Sequence, residues 1–66
     1  MNCIKALREK LKLNQEDFGK WIGVSRISVS QWELNKKRPR VKQAKKILLL
    51  AKLNNHPIRM DDIFDG

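Results

Sequence analysis

The feature that most constrains this chain is a glycine-marked gap between two helical apolar stripes. In the stretch QEDFGKWIGVSRISVSQWE, from Gln15 to Glu33, Phe18 and Ile22 share one spacing and Val29 and Trp32 another. Steps of four and three residues each place a pair on one helix face. Between the pairs stands Gly23-Val24-Ser25. Glycine accepts the left-handed backbone that ends a helix in a tight turn. Val24 is the apolar plug of that turn, and Ser25 carries the hydroxyl that caps a new helix. Asn14 caps the helix before the turn, and Glu16 and Asp17 suit its positive end. Gly19 falls where the two helices approach closely and a bulky side chain would clash.

The apolar spacing is helical along the rest of the chain, and no strand is expected. Ile4, Leu7 and Leu11 form the stripe of a first helix, from about Cys3 to Leu11. The helix after Ser25 runs to about Leu34, with Val29 and Trp32 inward. Asn35 is well suited to a left-handed position behind it. Pro39 keeps the following basic loop extended. A fourth helix covers about Val41 to Leu53, and Asn54-Asn55-His56-Pro57 breaks it. A last turn, about Met60 to Phe64, supplies Ile63 and Phe64. Trp21 flanks the Phe18 stripe and is expected to cover the first helix or the C-terminal turn. His56 beside Pro57 reads as a loop residue.

A chain of 66 residues makes one small domain. It buries little apolar area and needs support. Cys3 is the single cysteine and His56 the single histidine. Neither an internal disulfide nor a His/Cys zinc set can be built from one copy. The free thiol fits a reducing cytoplasm. No apolar run is long enough to span a membrane, and no signal-peptide core opens the chain. The net charge is +8, from 15 basic and 7 acidic residues. Between Leu34 and Met60 there is no acid. Lys36, Lys37, Arg38, Arg40, Lys42, Lys45 and Lys46 crowd into that interval, an electrostatic footprint for a polyanion. Nucleic acid is the first reading, and an anionic membrane surface the second.

Two helices joined by a short glycine-containing turn form a helix-turn-helix unit, here at about residues 15–34. Gly19, Gly23, Val24, Val29 and Trp32 all fall in register for it. In this the sequence resembles the phage Cro and repressor family of helix-turn-helix proteins. The resemblance is carried by IKALREKLKLNQEDFGKWIGVSRISVSQWELNKKRP, from Ile4 to Pro39, and by MDDIF near the end. It implies an all-α domain of four or five short helices, the lambda-repressor-like fold. It also implies a dimeric transcriptional regulator on pseudo-palindromic operators, in the cytoplasm of a bacterium or of a phage's host. Asn14 stands where the family usually has Ser or Thr. Gly19 stands for its usual alanine, and Lys12 and Asn35 for its usual glycines. The stretch from Pro39 to MDDIF looks several residues longer than the common pattern. No second domain is expected after Gly66, which favours a Cro-like regulator over a two-domain repressor. The resemblance also implies that Arg8 and Glu33 pair, joining the first helix to the end of the third.

In such a motif the N-terminal part of the third helix enters the major groove. Arg26, Ile27, Ser30 and Gln31 are the expected base-contacting residues. Arg26 suits the O6 and N7 of guanine, Gln31 the N6 and N7 of adenine, and Ile27 a thymine methyl. Arg26 and Gln31 are read as standing nearly on one line of the outward face. Asn14, Gln15, Ser28, Asn35, Lys36, Lys37, Arg38 and Arg40 are the expected phosphate contacts. The fourth helix carries more leucine than one face can hide. Ile47, Leu48 and Ala51 are expected in the core. Leu50, Leu53, Asn55, Pro57 and Ile58 are then expected to form a homodimer surface, its assembly completed on DNA. No cofactor, metal or small-molecule ligand is expected, and no catalytic constellation is present. The rival function is an antitoxin or anti-repressor acting through a protein partner. RNA binding would want an aromatic platform that the sequence does not offer.

Overall fold

Phe18 and Val29, both without solvent exposure, sit where the two central helices press together. The structure, a computed structural model, describes residues 2–65. Its five helices are α1 (Cys3–Lys10), α2 (Gln15–Ile22), α3 (Arg26–Glu33), α4 (Val41–Leu53) and α5 (Met60–Asp65). Among the described residues no helix is long and apolar enough to cross a membrane. One core collects the inward stripes: Ile4 and Leu7 of α1, Phe18 and Ile22 of α2, Val29 and Trp32 of α3. Ala44, Ile47, Leu50 and Ala51 of α4 and Ile63 of α5 complete it.

The α2–α3 turn forms for local reasons. Asn14 Oδ1 accepts from the Asp17 amide at 2.7 Å and starts α2. Gly23 ends it at φ 90°, a backbone that side chains rarely adopt. The Gly19 carbonyl accepts from the amides of Gly23 at 2.7 Å and Val24 at 2.8 Å. A Cβ built on Gly19 would lie 2.6 Å from the Val24 carbonyl oxygen, so even a methyl group would require the turn to shift. Ser25 Oγ then accepts from the Ser28 amide at 3.4 Å and opens α3. Its half-buried neighbour Val24 packs against the core, as the plug reading expects.

Leucine placement on α4 corrects the expectation. Leu50 is only 7 % exposed and belongs to the core, while Leu48 is half-buried beside it. Residues 44, 47 and 51 follow steps of three and four, and Leu50 lies three beyond Ile47 on the same face. Leu49 and Leu53 are the exposed pair. The helix stops because Asn55 turns left-handed at φ 60°. The His56 amide there donates to the Ala51 carbonyl at 2.9 Å, and Asn54 Nδ2 to that of Leu50.

Lys12 and Asn35 are also left-handed, each at φ 58°. These are the two positions where the resemblance makes glycine usual. Asn35 gains partial compensation, because its Oδ1 accepts from Asn2 Nδ2 at 2.8 Å. Exposed Lys12 has no side-chain hydrogen bond among the described residues. A left-handed residue with a Cβ carries strain of about 1 kcal/mol or more. Glycine removes it at some cost in unfolded-chain entropy. Lys12→Gly is therefore expected to stabilise the fold by about 0.5 kcal/mol, raising the thermal midpoint by a few degrees. A melt at or below that of the parent chain would refute this.

Candidate nucleic-acid interface

Burial of Val29 and Trp32 fixes which side of α3 is presented. Arg26 is exposed, Ile27 is 60 % exposed, and Ser30 and Gln31 are half-buried. The five residues from Arg26 to Gln31 turn the helix by about 140° beyond a full revolution. They therefore stand at opposite edges of the outward face, rather than on one line. Ile27 and Ser30 lie between them. Ser28 is half-buried on the flank nearer Trp32.

Beyond α3 the chain makes a compact exit. The Lys36 and Lys37 amides both donate to the Gln31 carbonyl, at 2.9 and 3.3 Å. Lys36, Lys37, Arg38 and Arg40 are exposed, whereas Pro39 among them is buried. Pro39 borders one cleft with Asn2, Ile4, Trp32 and Ile63. An anchored proline thus holds four cations near the end of the presented helix. Asn2 is a second anchor. Its Oδ1 caps α1 by accepting from the Ile4 amide at 2.8 Å. Its Nδ2 donates to the Trp32 carbonyl and to Asn35 Oδ1, both at 2.8 Å. Asn35 is exposed and held by that bond. Neither anchor was expected from the sequence, although an asparagine just before an apolar helical stripe is a recognisable cap signal.

Lys46, one of the clustered cations, is engaged by the protein itself. Its Nζ donates to the Ile22 carbonyl at 3.3 Å, at the negative end of α2. Arg40 precedes α4, and its amide donates to Gln43 Oε1 at 2.8 Å, leaving the guanidinium exposed.

Behind α3, Arg8 and Glu33 form the expected pair. Arg8 Nε donates to Glu33 Oε2 at 2.7 Å and Nη2 to Oε1 at 3.1 Å. Nη1 donates to the Leu13 carbonyl at 2.9 Å. The side chains are 15 % and 5 % exposed. The hydrogen bond to Glu33 raises the Arg8 guanidinium above its ordinary value, so it stays charged at any working pH. Gln15 Nε2 joins them, donating to Glu33 Oε1 at 3.3 Å. That bond uses one amide proton and leaves the other for a partner. Asn14 is exposed at the start of α2 beside it, its Oδ1 engaged in the cap.

The apolar surface lies elsewhere. Leu53 is 70 % exposed, Asn55 and Pro57 are exposed, and Ile58 is half-buried against the core. Leu50, packed in the core, contributes only its 7 % exposed edge there. Trp21 is 66 % exposed and borders a shallow groove with Leu11, Leu13, Leu50, Leu53 and Asn54. It walls this groove rather than sealing the first helix or the C-terminal turn.

Residues 4–52 match the family model described as Helix-turn-helix. A curated relative is Repressor protein C2 of Salmonella phage P22, 47 % identical over 36 residues. The match covers 54 % of this chain and 17 % of that protein. No solved structure matches the chain significantly.

Proposed function

The chain belongs to the phage repressor and Cro type of helix-turn-helix family, and from that premise we propose a Cro-like repressor that lays α3 in the major groove of duplex DNA. One observation carries the reading. The outward face of α3, with Arg26, Ile27, Ser30 and Gln31, is followed at once by the exposed cations Lys36, Lys37, Arg38 and Arg40. Base-edge chemistry and phosphate chemistry are thereby set side by side. Asn14, Gln15, Ser28 and Asn35 add polar groups for the backbone around it. Such a domain is a non-enzymatic regulator and acts from within the cytoplasm of a bacterium.

One copy reads few base pairs, so the operator is pseudo-palindromic and bound by two copies. The surface around Leu53, Asn55, Pro57 and Ile58 supports their contact. Selection from a random duplex pool, then footprinting, is expected to show two half-sites about one helical turn apart. A single unpaired half-site at saturation would refute the dimer. Lys36→Ala or Lys37→Ala is expected to weaken binding to the selected duplex and to random DNA alike, and to flatten the logarithmic salt slope by roughly one unit. An unchanged slope would remove that lysine from the phosphate set. A second reading, an antitoxin or anti-repressor, is favoured by the exposed Trp21–Leu53 groove, which suits a protein partner.

A further inference from the structure

The cap of α1 needs only an oxygen. Serine or aspartate would supply it as well as asparagine does. Asn2 does more. Its Oδ1 accepts from the Ile4 amide at 2.8 Å and from the Lys5 amide at 3.3 Å. Backbone amides only donate, so this contact fixes which edge of the Asn2 side chain faces α1. The opposite edge, Nδ2, then points away with two hydrogens. One goes to the Trp32 carbonyl and the other to Asn35 Oδ1, each at 2.8 Å. Every hydrogen-bonding position of the Asn2 amide is thus filled.

That polarity passes to Asn35. Asn2 offers only donors on this side, so Asn35 has to meet it with its oxygen. Its Nδ2 is thereby turned away from Asn2, and makes no hydrogen bond among the described residues. The Asn35 backbone is held as well, left-handed at φ 58°, with its amide donating to the Trp32 carbonyl at 3.2 Å. Asn35 borders one cleft of about 210 Å³ together with Lys37 and Arg38, and no carboxylate lines it among the described residues. Two cations and an amide edge that only donates therefore share one space. An anion with several acceptor oxygens, such as a phosphate group, fits that set.

We propose that Asn2 is a positioning residue for DNA, holding the Asn35 amide with its donors outward toward a backbone phosphate beside the groove. The proposal rests on the repressor reading above. A free amide can turn either edge to solvent, and its oxygen would repel a phosphate. The bond from Asn2 removes that orientation before DNA arrives, so less ordering is left for binding to offset. Asn2 need not touch DNA itself, since it acts through a residue 33 positions along the chain.

The test is a double-mutant cycle. Asn2→Ser keeps an oxygen for the cap but is too short to reach Trp32 or Asn35. Asn35→Gly removes the amide and suits the left-handed backbone, so it should fold. Affinities are measured for the parent chain, both single variants and the double variant. Each is tested on the duplex that the parent selects from a random pool and on random DNA, over a range of salt and below all four melting midpoints. Asn35→Gly is expected to bind about tenfold more weakly, as for a lost hydrogen bond to a charged group. Asn2→Ser frees the amide without removing it, and is expected to lose about threefold. Both losses should be equal on selected and random duplexes, because phosphates carry no sequence. Neither should alter the salt slope, because no cation is lost. The double variant should bind as Asn35→Gly does. If Asn2→Ser acts only by loosening α1 or the end of α3, its loss persists in the Asn35→Gly chain, and the proposal is overturned. Parent-like affinity of either folded single variant also overturns it. Asn2→Thr, another cap former, replaces Asn2→Ser if the serine chain does not fold. Failure of the parent chain to select any duplex would instead overturn the repressor reading beneath it.

Discussion

Glu33→Ala is expected to lower the thermal midpoint of the chain by about ten degrees or more. Glu33 is 5 % exposed, and its carboxylate accepts from Arg8 twice and from Gln15 once. Removing it strands the Arg8 guanidinium, which stays charged and is itself 15 % exposed. Breaking a fully buried pair by deleting one partner costs about 3–5 kcal/mol, and this partly buried pair falls at the lower end of that range. A domain of this size has a total stability of roughly 3–10 kcal/mol. The loss is thus a large fraction of the whole. Arg8→Met with Glu33→Leu is expected to lose much less, because no charge is left without a partner. Gln15→Ala, which removes one weak bond of 3.3 Å, is expected to change the melt only slightly. Thermal unfolding followed by circular dichroism separates the three variants. If Glu33→Ala melts within a few degrees of the parent chain, the pair is not what holds α1 against the end of α3. The pair's benefit lies in position more than in energy. It fixes the far end of the presented helix while Val29 and Trp32 fix its inner face.

The parts of this arrangement that were legible in the sequence are those set by near neighbours. Asn14, Gly23 and Ser25 act on amides and carbonyls within four residues of themselves. Their residue types announce those roles before any packing is known. The span of α4 is legible for the same reason, since Asn54-Asn55-His56-Pro57 cannot continue a helix. Leu50 is not legible. In Ile47-Leu48-Leu49-Leu50-Ala51 every residue is apolar, so periodicity cannot say which side faces in. Only the position of α4 against the other helices decides it. Lys46 and Asn2 are hidden in another way. Each acts on a backbone carbonyl more than twenty positions distant, Ile22 for one and Trp32 for the other. Among seven closely spaced cations, nothing local marks Lys46 as a cap. The placement of Arg26 against Gln31 differs from both cases. The helical repeat alone sets that angle, and it puts the two at opposite edges of the face.

That separation shapes the second large effect expected. Arg26→Ala should cost about 1–3 kcal/mol on the preferred duplex, the usual range for a bidentate base contact. On random DNA it should cost much less, because phosphate contacts from Lys36, Lys37, Arg38 and Arg40 remain. Gln31→Ala should show the same asymmetry. Its lost discrimination should fall on a different base pair, since its side chain leaves α3 about 140° around the axis from that of Arg26. Residues that far apart with no shared partner contribute nearly additively, so the double variant should lose roughly the sum. Arg26 is exposed, and its side chain makes no hydrogen bond to the protein among the described residues. Its replacement should therefore leave the melt unchanged, and any loss of binding can be assigned to the interface. All affinities must be compared at one salt concentration, because the phosphate contribution varies steeply with it. Suppose a folded Arg26→Ala chain lost affinity equally on preferred and random duplexes. Arg26 would then be a phosphate clamp at the edge of the groove, and base reading would fall to Ile27, Ser30 and Gln31.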